Sequence, residues 1–404
     1  MSYLILTYHT IHIKGKYGAE FIKHANNILR IPDIDNDIDC GEHDVQWKEN
    51  GYLTLAATDC QAEALMENSR VQNENGVDYI PLLSSEQLRQ QFPYMNTDDL
   101  KLGAFGTANE GFFDPNTLVL ATKRKAISMG VEYLDAEVTG ANMRYQDSMT
   151  SGGNGKHLEI DNVMVACTSS KNAGEVLNIK GHTFVNAAGA WSGKLVDMLG
   201  DHVPSLYTSH SGDSTARKTE LTRLPVERRK RCVFHVHAPK ASSWSQQSPL
   251  TVDPSGTWFR PEGGPGYFIC GAPAAAYEDC EAGDVDRDDD SLDHLDNPSM
   301  FEEYIWPNMY ERVPEFEELK VKTSWSGFYD YNYIDHNAII GKHAEINNLL
   351  LCNGFSGHGL MQAPAAGLAI SELIEYNQFR TIDLSNFGFE RIVKNVPYKE
   401  NCVI

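Results

Sequence analysis

Hydrophobic and polar positions alternate with two different periods along this chain. Strands that run into helices through small-residue turns occupy about 100–200 and 335–380, whereas short strands with period-two alternation and Gly or Pro turns occupy about 45–100 and 220–330. The pattern predicts a chain that weaves between two discontinuous domains. Residues 1–45, 100–200 and 325–404 would form an α/β domain, residues 46–99 and 220–324 a domain with an antiparallel sheet, and residues 201–219 a loop.

Local signals place the ends of several helices. Capping-box patterns at 58–61 and 84–87 open helices that end near 74 and before 93. The pair Asp114-Pro115, an N-cap aspartate followed by proline, opens a helix to about residue 129. Further helices are predicted at 17–29, 193–199 and 301–310, loops at 31–44, 201–220 and 279–296, and strands at 1–13, 47–57, 131–143, 158–167, 182–186, 232–238, 249–253, 256–260, 267–271 and 319–327.

Composition narrows the class of ligand. The formal net charge is −22, with 34 basic and 56 acidic residues, which argues against binding to nucleic-acid phosphates or anionic lipid. No apolar run approaches the roughly 18 residues that span a bilayer, so membrane association would be at most peripheral. His235-x-His237 has no third ligand in the pattern, and no metal site is predicted. A small molecule or a protein partner is the expectation.

Two corners made of small residues carry the strongest chemical signal. Gly354-x-x-Gly357-x-Gly359 follows an apolar strand and precedes a helix that begins near Leu360. Glycines let backbone N–H groups approach a ligand, and a helix N-terminus favours negative charge. Residues 187–192 (Ala-Ala-Gly-Ala-Trp-Ser) form a second strand-to-helix turn. Structural turns or a close-packed helix–strand junction would have a similar composition, but two such corners together favour one shared, charged and planar or phosphorylated ligand.

These corners, with Ser324 to Asn332, Asp335 and the Ile339-Ile340-Gly341 strand, resemble the D-amino-acid-oxidase-type flavoproteins, which include sarcosine, dimethylglycine and glycine oxidases. The resemblance covers nearly everything from about Gly18 onward. It implies an α/β fold of that type, with an FAD-binding domain built on an incomplete Rossmann-like sheet and a substrate domain with an antiparallel sheet.

The resemblance also implies roles for particular residues. Val138 would flank the adenine through its backbone, and Tyr329 and Asp330 would shape the substrate pocket as the catalytic candidates. The residues implied in FAD binding are Val138, Ala188, Gly189, Trp191, Gly354, Phe355, Ser356, Gly357, His358, Gly359, Leu360 and Met361. Gly357→Val is expected to abolish flavin retention by placing a side chain where backbone touches the ring.

The chain departs from the family pattern at three places. No Gly-x-Gly-x-x-Gly unit occurs in its 404 residues, so either the sequence is truncated, by gene model or isoform, or it no longer binds FAD well. Tyr329 and Asp330 stand where relatives hold the substrate carboxylate with an arginine. Phe328 stands where relatives attach flavin through a cysteine, so FAD would be non-covalent.

Within the family, the chain is most similar to a mitochondrial branch that supports assembly of respiratory complex I. The segments that carry this likeness are 109–115, 224–231, 258–263 and 381–404. The resemblance implies complex I subunits or assembly intermediates as partners, and a location on the matrix side of the inner membrane, although the chain contains no presequence. Two alternatives stay open: an active oxidase or dehydrogenase of an amine or amino-acid derivative, of the sarcosine or dimethylglycine type, and a truncated scaffold that retains only the fold and does not bind FAD.

Overall fold

A computed structural model describes residues 25, 28, 29, 44–74, 76–147, 156–169, 172–201, 222–273, 276 and 299–399. The predictions for 1–13, 17–29, 31–44, 201–220 and 279–296 lie wholly or almost wholly outside these residues.

The described part of the chain contains fourteen strands and seven α-helices. The strands are β1 Tyr52–Ala56, β2 Leu82–Ser84, β3 Leu102–Gly106, β4 Ala136–Asp147, β5 Lys156–Cys167, β6 Val176–Ile179, β7 Phe184–Asn186, β8 Val226–His237, β9 Leu250–Val252, β10 Trp258–Pro261, β11 Tyr267–Gly271, β12 Lys320–Asn332, β13 Ile339–Lys342 and β14 Leu349–Asn353. The helices are α1 Asp59–Glu74, α2 Ser85–Gln91, α3 Pro115–Ser128, α4 Ser192–Asp201, α5 Trp306–Arg312, α6 Gly359–Tyr376 and α7 Glu390–Val393, and a π-helical turn, Met300–Ile305, precedes α5.

The helix starts predicted from capping chemistry are confirmed. The Gln61 amide donates to Thr58 Oγ1 at 3.2 Å ahead of α1, and Ser84 forms both bonds of the capping box of α2. Asp114 Oδ1 accepts the Asn116 amide at 2.9 Å, with proline at the first position of α3. Each bond satisfies a backbone donor that a helix leaves unpaired at its N-terminus.

The largest sheet has eight strands in the order β12-β8-β11-β10-β9-β1-β3-β2. Every neighbouring pair is antiparallel except β1 and β9, which are parallel. Strands β3 and the last part of β12 belong to this sheet, although the sequence-based domain ranges grouped residues 100–200 and 325–404 with the cofactor domain. The domain ranges themselves stay a prediction.

Strands β8 and β12 are longer than the hydrophobic pattern predicted. The basic run from Arg228 to Arg231 lies inside β8, where it pairs with Gly327 to Asp330 of β12. Its side chains lie near the aromatic rings of β12: Lys230 Nζ is 5.7 Å from the Phe328 ring centroid, and the Arg231 guanidinium is 5.5 Å from that of Tyr329. Cation–π contacts of this kind stabilise the four basic side chains beside the rings of β12. A search for alternating apolar residues does not detect such a strand.

The large sheet has two different faces. One face packs under the helical segments 299–319 and α2 through a phenylalanine-rich core that includes Phe234, Phe259, Phe268 and Phe316. The opposite face contributes Tyr52, Trp258 and Ile269 to a second cluster, which also contains Met361 of α6. The start of α6 therefore lies against this second face, and the site described below lies beside it.

Two three-stranded sheets complete the described fold, in the orders β13-β14-β7 and β4-β5-β6. The first contains one parallel pair, β14 with β7, and the second is antiparallel. Strand β6 lies in a stretch for which the sequence analysis predicted no strand. In the described segments, no helix has the length and apolar character needed to cross a bilayer.

Candidate functional site

The first corner, residues 186–192, is held open by one buried asparagine. Asn186 Nδ2 donates to the Ser192 carbonyl at 3.0 Å, and Asn186 Oδ1 accepts the Ala188 amide at 3.2 Å. Gly189 has φ +55°, and a Cβ built on it would meet no atom within 4 Å. The backbone at Gly189 therefore borders open space that an additional group can fill.

The second corner, residues 353–359, has a strained backbone. Gly354, Ser356 and Gly357 have φ values of 71°, 49° and 94°. A non-glycine residue in the left-handed region costs about 1–3 kcal/mol, and such strain clusters at functional sites when the surrounding structure holds it in place. Ser356 is fully buried, and its Oγ accepts the Asn332 amide at 3.0 Å, which fixes the strained residue to β12.

The two corners lie side by side. Because β7 and β14 are parallel, their carboxyl ends meet at the same sheet edge, and each corner begins there. Asn353 Nδ2 donates to the Asn186 carbonyl at 3.2 Å, which joins the two corners directly. The structure therefore brings two corners, joined by residues 167 positions apart in sequence, to one edge of the sheet.

Strand β12 forms a third wall of the site. Asp330 Oδ2 accepts the Phe355 amide at 3.1 Å, and the Asp330 carbonyl accepts the Ser356 amide at 3.1 Å. The rings of Phe328 and Trp191 meet edge to face, with centroids 5.5 Å apart. One strand thus contacts both corners, and Asp330 accepts hydrogen bonds from two backbone amides of the second corner.

The structure changes the reason for expecting Gly357 to be essential. A Cβ on Gly357 would lie 2.6 Å from Cε2 of the Tyr329 ring. The sequence analysis expected the side chain to collide with the flavin itself. Tyr329, one of the two catalytic candidates, instead occupies that space and packs on the second corner.

The remaining predicted residues are distributed around this edge. His358 is buried at the N-terminus of α6, and Leu360 and Met361 pack on the second face of the large sheet. Val138 lies in β4, in the separate sheet β4-β5-β6. Helix α4, which begins at the end of the first corner, packs on β4. The structure brings the residues of the two corners together and leaves Val138 in another layer.

Two buried polar atoms at the corners have no protein partner. Ser192 Oγ, at the end of the first corner, and Asn353 Oδ1, at the start of the second, lack any hydrogen bond. A buried polar group without a partner costs about 1–3 kcal/mol, so native proteins rarely leave one unless a ligand or water completes it. These atoms, with the open space at Gly189, fit a polar cofactor that lies along the edge.

The fold changes the ionisation of the Asp330 carboxyl. Burial raises the pKa of its carboxyl to about 6, against hydrogen bonds from backbone amides, including that of Phe355, which act to lower it. The native protein therefore binds this proton more tightly than the unfolded chain. The stability that this contributes is fully present below the unfolded pKa and is lost as pH rises through about 6.

Asp330→Asn is expected to be more stable than the wild type at pH 7, by about 1–3 kcal/mol, because it removes a buried charge and keeps an oxygen for the Phe355 amide. The difference should shrink as pH falls from 7 to 4. Urea unfolding at pH 4, 5.5 and 7 measures it. Flavin content should be unchanged while any turnover alters; a destabilised variant at pH 7, or parallel loss of flavin, would assign Asp330 a purely structural role.

Sequence reasoning missed two buried arginines, one that supports this edge and one inside the large sheet. Arg391 of α7 forms a buried bidentate ion pair with Asp335, with Nε–Oδ2 and Nη2–Oδ1 distances of 2.7 and 3.0 Å. Arg260 of β10 is fully buried in the large sheet. A single sequence gives no signal for the first pair, and the sequence placed Arg260 only at the end of the predicted strand 256–260 and in the resemblance segment 258–263.

The two histidines of the His235-x-His237 pattern lie beside an aromatic ring. His235 and His237 lie near the Tyr267 ring, with centroid distances of 5.4 and 4.3 Å. Across the described residues, no three His, Cys, Asp or Glu side chains form a group that could hold a metal ion.

Comparison with known proteins identifies the fold. The family model described as FAD dependent oxidoreductase (DAO) matches residues 36–373. The chain belongs to this family. The FAD-dependent oxidoreductase domain-containing protein 1 of Xenopus laevis is 36% identical over 388 residues, which cover 96% of this chain and 72% of that protein. The Bos taurus protein of the same name is 34% identical and is covered to 74%.

Solved structures agree on the fold. L-proline dehydrogenase from P. horikoshii superposes with a TM-score of 0.67 at 20% identity, over 96% of this chain and 84% of that one. Glycine oxidase from Bacillus cereus gives 0.60 at 16% identity, over 94% and 84%. The predicted fold class is confirmed, and membership of the family implies FAD as the cofactor. The unpaired atoms at the two corners are candidate contacts for that cofactor.

Proposed function

We propose that this member of the family is an FAD-dependent oxidoreductase-like protein of the mitochondrial matrix, associated with the inner membrane, that supports assembly of respiratory complex I. The flavin part of the proposal is supported by the bond from Asn353 to the Asn186 carbonyl, which joins two corners where the buried Ser192 Oγ and Asn353 Oδ1 have no protein partner. The assembly part is supported by the sequence resemblance of segments 109–115, 224–231, 258–263 and 381–404 to a mitochondrial branch of the family. Complex I subunits or assembly intermediates are the proposed partners.

The assembly role is testable in cells that lack the protein. Mature complex I on native gels, and NADH oxidation by isolated inner membranes, are expected to fall and to return when the wild-type protein is expressed. Unchanged complex I in the deficient cells would contradict the proposal. The variant Gly357→Val then distinguishes a flavin-dependent assembly role from a scaffold role. Rescue of complex I by this flavin-free variant would show that the protein acts as a scaffold.

A second candidate function, oxidation of a small amine or amino-acid derivative at a C–N bond, is favoured by a specific feature of the large sheet. The face that contacts the start of α6 carries buried nitrogens without partners at Trp47, His235 and Arg260. A face used only for packing would be apolar, because an unpartnered buried polar atom costs stability. Bound FAD would supply the acceptor for a hydride from the carbon next to nitrogen. The chain's own residues would bind and orient the amine and exclude water.

The purified protein tests this second function directly. If the site is active, the visible flavin absorbance should bleach on anaerobic addition of an N-methyl amino acid and return with an electron acceptor. A protein that retains flavin but bleaches with none of a panel of secondary and tertiary amines would be the assembly factor without this activity.

A further inference from the structure

Exposed apolar side chains are concentrated between residues 119 and 134. Seven large apolar residues are exposed in these sixteen positions, whereas no other stretch of sixteen described residues holds more than four. They are Val119, Leu120, Ile127, Met129, Val131, Tyr133 and Leu134, and together they define the 119–134 face. Their exposed fractions run from 43% to 75%. Contiguous exposed apolar surface of this kind marks a site of contact with a protein or a membrane.

The first part of the 119–134 face lies on α3. Leu120 and Ile127 are two helical turns apart and therefore share one side of this helix. Leu118 and Ala121 point away from that side and are buried in the core cluster that contains Met361 of α6. Helix α3 is thus anchored to the protein through one side and presents large apolar side chains to water on the other.

The second part is the segment that returns beside α3. The chain turns at Gly130, whose amide donates to the Ile127 carbonyl at 2.9 Å. After the turn, the Tyr133 ring comes back to the helix, with its centroid 3.4 Å from Lys123 Nζ. Met129, at the turn, is the most exposed side chain of the face, at 75%. The helix and the returning segment therefore form one surface with an apolar turn at its end.

The charge of this surface differs from that of the whole chain. The net charge of −22 argues against attraction of the whole protein to anionic lipid. Residues 115–134, however, contain three basic side chains, Lys123, Arg124 and Lys125, and one acidic side chain, Glu132. A basic amphipathic helix is typical of proteins that lie on a membrane surface. The positive charge is therefore local, and it adjoins the exposed apolar side chains.

Two observations favour a membrane over a protein as the partner of this face. Lysine is depleted in protein interfaces, whereas Lys and Tyr are suited to the bilayer boundary, where the apolar part of the side chain contacts lipid and the polar end stays in water. Lys123 and Tyr133 form such a pair beside the apolar residues. A second copy of the chain is disfavoured, because two such faces in contact would bring their basic side chains together.

We propose that the 119–134 face docks the protein on a bilayer surface that contains anionic phospholipid. Met129 and the turn enter the boundary between the headgroups and the acyl chains, α3 lies in the plane of the interface, and the basic side chains lie near the lipid phosphates. The docking is peripheral, since the 14 residues of α3 are fewer than the roughly 20 that cross a bilayer. This inference rests on the membrane association in the proposed function, and it assigns that association to a particular surface.

Flotation with lipid vesicles tests the proposal on the full-length protein. The probes are vesicles of phosphatidylcholine alone and vesicles of phosphatidylcholine and phosphatidylglycerol in equal amounts. The wild type is expected to bind the mixed vesicles at least about tenfold more tightly than the neutral ones, because each basic residue near an anionic surface strengthens binding by about fivefold. Binding to the mixed vesicles should weaken as the salt concentration rises.

Two double variants test the apolar part of the face. Leu120→Glu/Ile127→Glu changes the helix, and Met129→Glu/Val131→Glu changes the turn and the segment after it. Each should weaken binding to the mixed vesicles at least about tenfold, because it replaces apolar contacts with negative charge. All four side chains are exposed in the protein, so both variants are expected to fold, and circular dichroism and urea unfolding check this.

A third double variant and a matched control complete the series. Lys123→Gln/Lys125→Gln should weaken binding to the mixed vesicles by about tenfold and leave the weaker binding to neutral vesicles unchanged. The control is Val176→Glu/Ile179→Glu, which adds the same two charges at exposed apolar positions of β6. It should bind both kinds of vesicle as the wild type does.

Three results overturn the inference. They are a wild type that does not float with the mixed vesicles, equal flotation of the wild type and the folded glutamate variants of the 119–134 face, and a dimer on gel filtration that these variants dissociate while no vesicle is bound. The last result would assign the face to a second copy of this chain.

Failure of the inference and failure of the proposed function give different results. If vesicles bind through the 119–134 face but complex I is unchanged in cells that lack the protein, the inference stands and the assembly function is wrong. If the wild type restores complex I but binds neither kind of vesicle, the assembly function stands and the inference is wrong.

Discussion

Arg391→Leu is expected to lower the free energy of unfolding by about 3–5 kcal/mol, because it leaves the buried Asp335 carboxylate without its cation. The loss is large since the Arg391 guanidinium also donates to the carbonyls of Phe387 and Asn337, at 2.6 and 3.0 Å. Urea unfolding at pH 7 measures it. The matched control is Lys394→Ala, which removes an exposed ion pair with Glu390 one turn further along the chain and should cost no more than about 1 kcal/mol.

Arg391→Leu should also weaken the support of the second corner. Asp335 Oδ1 accepts Asn332 Nδ2 at 2.7 Å, and the Asn332 amide donates to Ser356 Oγ at 3.0 Å, so the ion pair supports the strained second corner through two hydrogen bonds. Weaker flavin retention in a folded Arg391→Leu protein is therefore expected. If Arg391→Leu loses no more stability than Lys394→Ala, hydrogen bonds from backbone amides are sufficient to stabilise the buried Asp335 carboxylate.

Gly357→Val is the second large effect, and purified protein should retain less than about a tenth of the wild-type flavin. Two costs add at this residue: a positive φ that disfavours a side chain, about 1–3 kcal/mol, and overpacking against the Tyr329 ring, about 1–3 kcal/mol. Together they displace the second corner. The measurement is the ratio of flavin to protein absorbance after gel filtration.

Two companions isolate the cause. Gly367→Ala lies further along α6, where a Cβ would meet no atom within 4 Å, and it should leave flavin content unchanged. Gly357→Ala combined with Tyr329→Ala removes the collision but keeps the positive φ, so it should recover part of the flavin. Full retention by Gly357→Val would mean that the second corner does not contact the cofactor.

The parts of the fold that could be predicted from the sequence are those determined by interactions within a few residues along the chain. Asp114 before Pro115 opens α3 because the aspartate satisfies backbone donors within three residues, and Gly354 and Gly357 mark a turn because only backbone geometry is involved. The two corners could be found in the same way. The expectation that they share one ligand rested on their composition and on the family resemblance, because the sequence does not show that β7 and β14 are neighbours.

What the sequence did not predict depends on partners far along the chain. The run from Arg228 to Arg231 has no strand pattern of its own and becomes a strand because it pairs with β12, about 100 residues later. Arg260 has the polarity of a surface residue, and its burial follows only from its place in the middle of eight strands. The bond between Asp335 and Arg391 likewise joins the end of β12 to the last described helix.

The position of β1 has a consequence for synthesis of the protein. It lies between β3, its near neighbour in sequence, and β9, where Tyr52 pairs with Leu250. A ribosome adds about 5–20 residues per second, so β1 is made roughly ten to forty seconds before its parallel partner. Until β9 is available, one hydrogen-bonding edge of β1 is open to other chains. The incomplete chain is therefore expected to aggregate through β1 more readily than the finished protein.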